Sequence, residues 1–252
     1  MVRGILGLVL LCSGCSTLLG FEDLHAIDAA QPDGPVDAAI DTAIGCDAGV
    51  ASVNVVEDTM IVPQSGDPNP SIRFGANTGI NLGLNGTSRL LLRFDLASVP
   101  AVTSALATTT GSITATLTLH FYMSGNATTF QIYALSDGWN EGTGNYYGAS
   151  WYQRIGIDSG NQTPWQVQGA DGLNDRSQLA LATRVATAAE ATAGSQLQVT
   201  FSLDGAARTE ALGRLSSNRL SLILVPTSGG QLFVAAREGM PTGTQLAFSL
   251  CP

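Results

Sequence analysis

The sequence predicts an all-β fold, a sandwich or jelly roll of stacked sheets. Two stretches alternate apolar and polar residues with a period of two. Leu90, Leu92, Phe94 and Leu96 share one face against Arg93 and Asp95; Ile113, Ala115, Leu117, Leu119 and Phe121 share one against Thr114, Thr116, Thr118 and His120. Successive side chains of a strand point to opposite faces, so this alternation marks strands with one face buried and the other turned outward. Short apolar runs recur elsewhere, separated by Gly, Asn, Ser and Pro clusters that suit turns. The ~200 residues from position 52 onward suffice for one core, and single all-β domains of that size are ordinary.

Taken in order, residues 1–14 read as a signal peptide. Arg3 supplies a positive start, Ile5–Leu11 a short apolar run, and Ser13-Gly14 small residues before Cys15. The apolar run is too short to span a bilayer, which needs ~20 residues. The Ser-Gly-Cys step resembles the lipobox of bacterial lipoproteins, although Cys12 stands where that pattern usually has Leu. The resemblance implies cleavage before Cys15 and lipid on that cysteine. The membrane is then a partner through the anchor, and more than one acyl chain makes anchoring stable. Ser16 rather than Asp after the cysteine matches outer-membrane sorting, with the domain in the cell envelope, at the periplasm or cell surface.

Residues 15–51 are expected to form a disordered tether. Glu22, Asp23, Asp28, Asp33, Asp37, Asp41 and Asp47 fall there with no Arg or Lys, among Ala, Pro and Gly. Such a segment repels itself and has little to bury. It carries most of the net charge of -9. From residue 52 the balance is 13 acidic residues against 10 Arg, and the chain has no Lys. A near-neutral domain lacks the basic patch of nucleic-acid binders, so no nucleic-acid partner is expected. With Cys12 in the signal and Cys15 lipidated, Cys46 and Cys251 remain. An oxidising compartment favours a disulfide between them, joining the domain's entrance to its exit; two unpaired thiols are the alternative.

Within the domain at 52–252, further strands are expected at Val53–Val56, Thr129–Leu135, Leu179–Val185, Leu197–Leu203, Leu220–Val225, Leu232–Ala236 and Gln245–Leu250. A short helix is expected around Ala206–Leu215, and Ala186–Ala193 reads as either a helical turn or a loop. Asp137–Asp175 reads as a long irregular stretch holding Trp139, Trp151, Trp165, Tyr146, Tyr147 and Tyr152. Loops this long are usually functional or packed by their own side chains.

Motifs in this domain resemble the DNRLRE domain, a family related to disaggregatase repeats and to an alginate-type carbohydrate-binding module. The matching segments are Asp58-Thr59, the Pro/Asn/Gly-rich 67–79, Leu82-Gly83, Arg89–Leu96 ending Arg-Phe-Asp-Leu, and Val99-Pro100. Tyr133, Trp139-Asn140-Glu141-Gly142, Ala149-Ser150-Trp151, Thr163-Pro164-Trp165, Gly169-Ala170-Asp171 and Phe233–Glu238 follow in the same order. The chain departs where Thr244-Gln245 replaces an Arg-Pro step and where Ala170 replaces a glycine. The resemblance implies a jelly-roll β-sandwich and an extracellular role, with polysaccharide binding in some relatives. It implies no reaction.

The residues agree that catalysis is hard to assemble, and a non-enzyme is expected. His25 and His120 are the only histidines, too few for a His-based zinc site or a plain Ser-His-Asp arrangement. Without lysine there is no Schiff-base chemistry. Glu141 with Asp171 or Asp175 is the one carboxylate pairing in the loop that could serve a glycosidase. The aromatic loop suits sugar binding better, because sugars stack on aromatic faces and charged groups fix their hydroxyls or carboxylates. Trp165, Tyr152, Tyr147, Arg154 and Asp171 are the candidates; for the three aromatics burial stands as an equal alternative. Trp139 and Trp151 are expected to fill the end of the sandwich. No cofactor is expected. Asp67–Asn69 and Asp171–Asp175 offer the hard oxygens that a structural calcium would need, without the spacing of a defined calcium loop.

Overall fold

The structure, a computed structural model, describes residues 51–63, 74–75, 77–108, 111–142, 148–155 and 162–251. Cys15, Cys46, the tether, Asp67–Asn69 and Tyr147 lie outside the described residues.

The first strand, β1 (Ala51–Ile61), changes partner along its length. Ala51–Asn54 pair antiparallel with the last strand, Gln245–Cys251; from Val55 to Ile61 the strand pairs with Arg89–Phe94, with a register shift between Val55 and Glu57. One strand therefore contributes to two sheets. With the remaining ranges assigned in chain order, β2 is Gly79–Leu82, β3 Arg89–Asp95, β4 Ser112–Met123, β5 Thr128–Leu135, β6 Gln153–Ile155 and β7 Thr163–Pro164. Next, β8 is Ala182–Ala186, β9 Gln196–Ser202, β10 Arg219–Gly229, β11 Leu232–Ala235 and β12 Gln245–Cys251. One sheet runs β1–β12–β4–β9 and the other β1–β3–β10–β5–β8, every pairing antiparallel. β11 pairs with the end of β4 and with β2, extending the first sheet. Let β1, β3, β4, β5, β8, β9, β10 and β12 be eight successive strands. The first sheet then orders them first, eighth, third, sixth, and the second orders them second, seventh, fourth, fifth. That interleaving is jelly-roll connectivity.

The alternation read from sequence sets which face is buried. β4 alternates half-buried and buried residues from Ser112 to Phe121. Its buried set packs with Leu90, Leu92, Phe94, Leu222 and Phe248 in the main core between the sheets. His120 faces away from that core, as expected. The outward side of the second sheet is not solvated, however. Leu91, Tyr133, Leu135 and Ile223 lie there beneath a second cluster with Trp139, Ala149 and Trp165. Arg93, expected on a solvated face, is buried there at 3% exposure.

Among the described residues, two α-helices flank the sandwich. α1 (Pro100–Ala107) starts on a proline at its first position and buries Val102 and Leu106. Proline's fixed φ suits that position, where its missing N–H costs nothing. α2 (Gly205–Arg214) falls where a helix was expected and buries Arg208 and Ala211. The Arg208 guanidinium donates to the carbonyls of Leu203 (3.0 Å), Thr108 (2.7 Å) and Gly111 (2.6 Å), closing the loop ends around α2. The Ala-rich 186–193 is a turn: Thr187 and Glu190 exchange backbone-to-side-chain hydrogen bonds in a capping box. No helix among the described residues is long and apolar enough to cross a membrane.

Candidate functional site

The described parts of the segment after β5 lie over the outward face of the second sheet, and Arg93 on β3 pins its start. The Arg93 guanidinium pairs with Glu57 (2.5 Å) and Asp137 (2.8 Å) and donates to the Trp139 carbonyl (2.5 Å). Its carbon stands 4.3 Å from the centre of the Trp139 ring. The Trp139 indole N–H donates to Ser221 Oγ at 3.2 Å. Trp139 therefore lies on the outer face of a sheet rather than at the end of the sandwich. Trp151, half-buried beside the same cluster, carries Arg89 at 4.8 Å from its ring centre.

Trp165 is 4% exposed, and its indole N–H donates to the Ser150 carbonyl at 2.7 Å. A ring packed on both faces has none left for a sugar, so this candidate is an internal prop. Asp171 is engaged too. Arg89 (2.7 Å) and Arg176 (3.0 Å) both pair with it, and these bonds hold its carboxyl below the ordinary value against the opposing effect of burial. Asp175 accepts backbone N–H groups from Gln166 (3.0 Å), Val167 (3.0 Å) and Gly172 (3.1 Å). Both carboxylates are thus committed to protein donors, which compete with any calcium at Asp171–Asp175. Ala170, where the resemblance has glycine, adopts a positive φ of 63° and is fully buried. The backbone there needs the left-handed region, and alanine accepts some strain to fill the space.

Tyr152 and Arg154 remain at the surface. They lie at the start of a two-stranded hairpin, β6 with β7, set on the covering segment. Both are half-buried. Arg89, Arg93, Arg176, Arg184, Arg208, Arg214 and Arg237 each join an ion pair. Arg154 has no carboxylate within ion-pair distance among the described residues, and its Nε is buried without a hydrogen-bond partner.

Glu141 does not join Asp171 or Asp175. It lies with Asp58 and Glu238 in a cluster in which one carboxylate oxygen from each residue lies within 4.8 Å of the other two. Asp58 comes from the middle of β1, Glu141 from the segment after β5, and Glu238 from the turn after β11. Glu141 Oε1 accepts the Asp58 N–H at 2.8 Å, and its Oε2 accepts from Arg237 at 2.7 Å. Asp58 Oδ2 accepts the Arg237 backbone N–H at 2.7 Å. Burial pushes Asp58 up to about 7; the Arg237 N–H opposes it, and Glu141 and Glu238 add to it. Burial likewise pushes Glu141 up to about 7, opposed by the Asp58 N–H and reinforced by Glu238. No spacing announced this cluster, because its members are about 80 and 100 positions apart; the Asp-Thr, Trp-x-Glu-Gly and Arg-Glu segments noted above were the available signal.

No protein-family model matches the chain, and no curated protein does either.

Proposed function

We propose that this chain is a non-catalytic, lipid-anchored envelope protein whose sandwich binds acidic extracellular polysaccharide at the β6–β7 hairpin. Arg154 carries this reading: it is a cation without a carboxylate partner among the described residues, two positions from Tyr152 in the sequence, on a segment braced from below. A guanidinium in that setting suits a uronate carboxylate, which it can hold with two parallel N–H bonds. The buried tryptophans hold the platform and do not meet the ligand. The motif order that resembles the DNRLRE domain points to the same class of ligand.

The anchor at Cys15 and the Cys46–Cys251 bridge belong to the same proposal. One observation supports the bridge: Ala51 pairs with Phe248, so the domain's entrance and exit run side by side.

The test is calorimetric titration of the detergent-solubilised chain with a polyuronate and with a neutral glucan. The polyuronate is expected to bind with an affinity that falls as salt rises. Arg154→Gln should weaken it by about tenfold, since a charge-assisted hydrogen bond contributes ~1.5–3 kcal/mol. Folded protein that binds neither polymer sinks this reading. It would favour the second one, a structural or adhesive surface domain that contacts protein partners or matrix. The burial of Trp165, which removes the most obvious stacking face, favours that second reading.

A further inference from the structure

We propose that Asp58, Glu141 and Glu238 form a binding site for a hard divalent cation, calcium by preference. Two independent observations point to it. The first is geometric: three carboxylates from three distant segments offer oxygens all within 4.8 Å of one another. Calcium binds oxygen at about 2.3–2.6 Å, so oxygens on opposite sides of one ion stand about 4.6–5.2 Å apart. Magnesium keeps several of its waters and is seldom held by a dedicated all-protein cage. The second is an orphaned atom. Asp58 is fully buried and turns its carboxylate into the cluster, yet Oδ1 has no hydrogen-bond donor among the described residues. Buried polar atoms are nearly always satisfied, and one that is not calls for an explanation such as an ion.

Charge leads to the same place. Ionised, the three carboxylates face one guanidinium, that of Arg237, which bonds both Glu141 and Glu238. Two negative charges stay uncompensated, the amount a divalent cation supplies. The rise of Asp58 and Glu141 toward neutrality is how the cluster relieves that surplus with protons instead. The Arg237 side chain is 37% exposed and has room to swing off as the ion enters. Glu238, at the rim, is the entry ligand. The inference does not depend on glycan binding at the hairpin of Tyr152 and Arg154.

The experiment uses the full-length chain in detergent at pH 7.5, stripped with chelator. Calcium chloride is titrated by calorimetry and, in parallel, by thermal unfolding. One site per chain is expected, with Kd of about 10⁻⁴ M, the range of extracellular calcium modules, and a melting temperature that rises with calcium and saturates. Magnesium should bind at least tenfold more weakly. Glu238→Gln, a change at an exposed position, should weaken calcium about tenfold while leaving the metal-free melting temperature within a degree or two. Arg237→Gln should tighten calcium by removing the competing cation. Asp58→Asn should abolish the calcium-dependent rise, and its melting temperature shows whether it is folded. No heat and no rise at about 10 mM calcium overturns the proposal, as does unchanged affinity in Glu238→Gln and Asp58→Asn, which would place the ion elsewhere.

Discussion

A guanidinium at 3% exposure needs a full set of acceptors, and Arg93 has them in Glu57, Asp137 and the Trp139 carbonyl. Its position between β3 and the Trp139 ring makes it the joint between the sheet and the segment laid over it. Removing one partner of a buried pair costs more than the pair contributes, because the remaining charges are left without compensation. Arg93→Ala is therefore expected to destabilise the chain by about 3–5 kcal/mol, with Glu57 and Asp137 stranded. At ~2–4 °C per kcal/mol for a domain of this size, the melting temperature should fall by roughly 10 °C or more. Scanning calorimetry of the variant checks this; a loss of only a few degrees would mean the covering segment holds without its pin. The same residue shows how far a single strand pattern can be read. The alternation put Arg93 opposite the core face, which is where it lies. Its burial depends on a segment more than forty positions downstream, which no local pattern reports.

At the scale of elements, the described parts of the stretch from Ser136 to Ser177 are held by polar contacts more than by strand pairing. Asp175 gathers the N–H groups of Gln166, Val167 and Gly172 onto one carboxylate, and that turn delivers Trp165 and Ala170 to the second cluster. Asp175→Ala leaves three N–H groups without their acceptor; unsatisfied buried groups cost ~1–3 kcal/mol each where water cannot reach them. A fall in melting temperature of at least about 4 °C and faster amide exchange confined to 165–176 are expected. Uniform loosening of the whole sandwich in hydrogen-exchange mass spectrometry would count against this division of labour. The regular elements were the legible ones. β4, β5, β9 and α2 fall within one or two residues of their expected positions, because their burial follows their own periodicity. α1 was missed because Pro100–Ala107 shows no clear apolar stripe, and β6 and β7 because three and two residues hold no period. The candidate site was legible as a segment and not as a surface: composition located the aromatic loop but could not say that Trp165 points inward. That depends on Ile61, Leu91 and Ile223 presenting a second apolar face beneath it.

For the whole molecule, the carboxylate cluster couples stability to pH in an unusual direction. In the folded chain Asp58 and Glu141 hold protons up to about pH 7, against ordinary values of 3.8 and 4.5. Between those limits the folded state binds more protons than the unfolded state, so stability falls as pH rises. This contribution is complete below the ordinary values and lost as pH passes through about 7. Asp171 and Asp204 act in the opposite sense. Arg89 and Arg176 hold Asp171 low; hydrogen bonds from Ser202 and Ser112 bring Asp204 down to about 2. Their contribution is present above 3.8 and lost as pH falls below it. The two trends meet in weakly acidic solution, so without divalent cations the melting temperature should peak near pH 4.5–5.5 and decline by several degrees toward pH 8. Glu238 and Arg237 are the charged groups facing the pair, and they set where the decline is centred. Asp58→Asn removes one of the two titrating acids and should flatten the alkaline side while leaving the acidic side in place. A melting temperature that climbs steadily from pH 5 to pH 8 in chelated wild-type protein would show that both acids ionise at ordinary values, and that the cluster's burial is looser than its geometry implies.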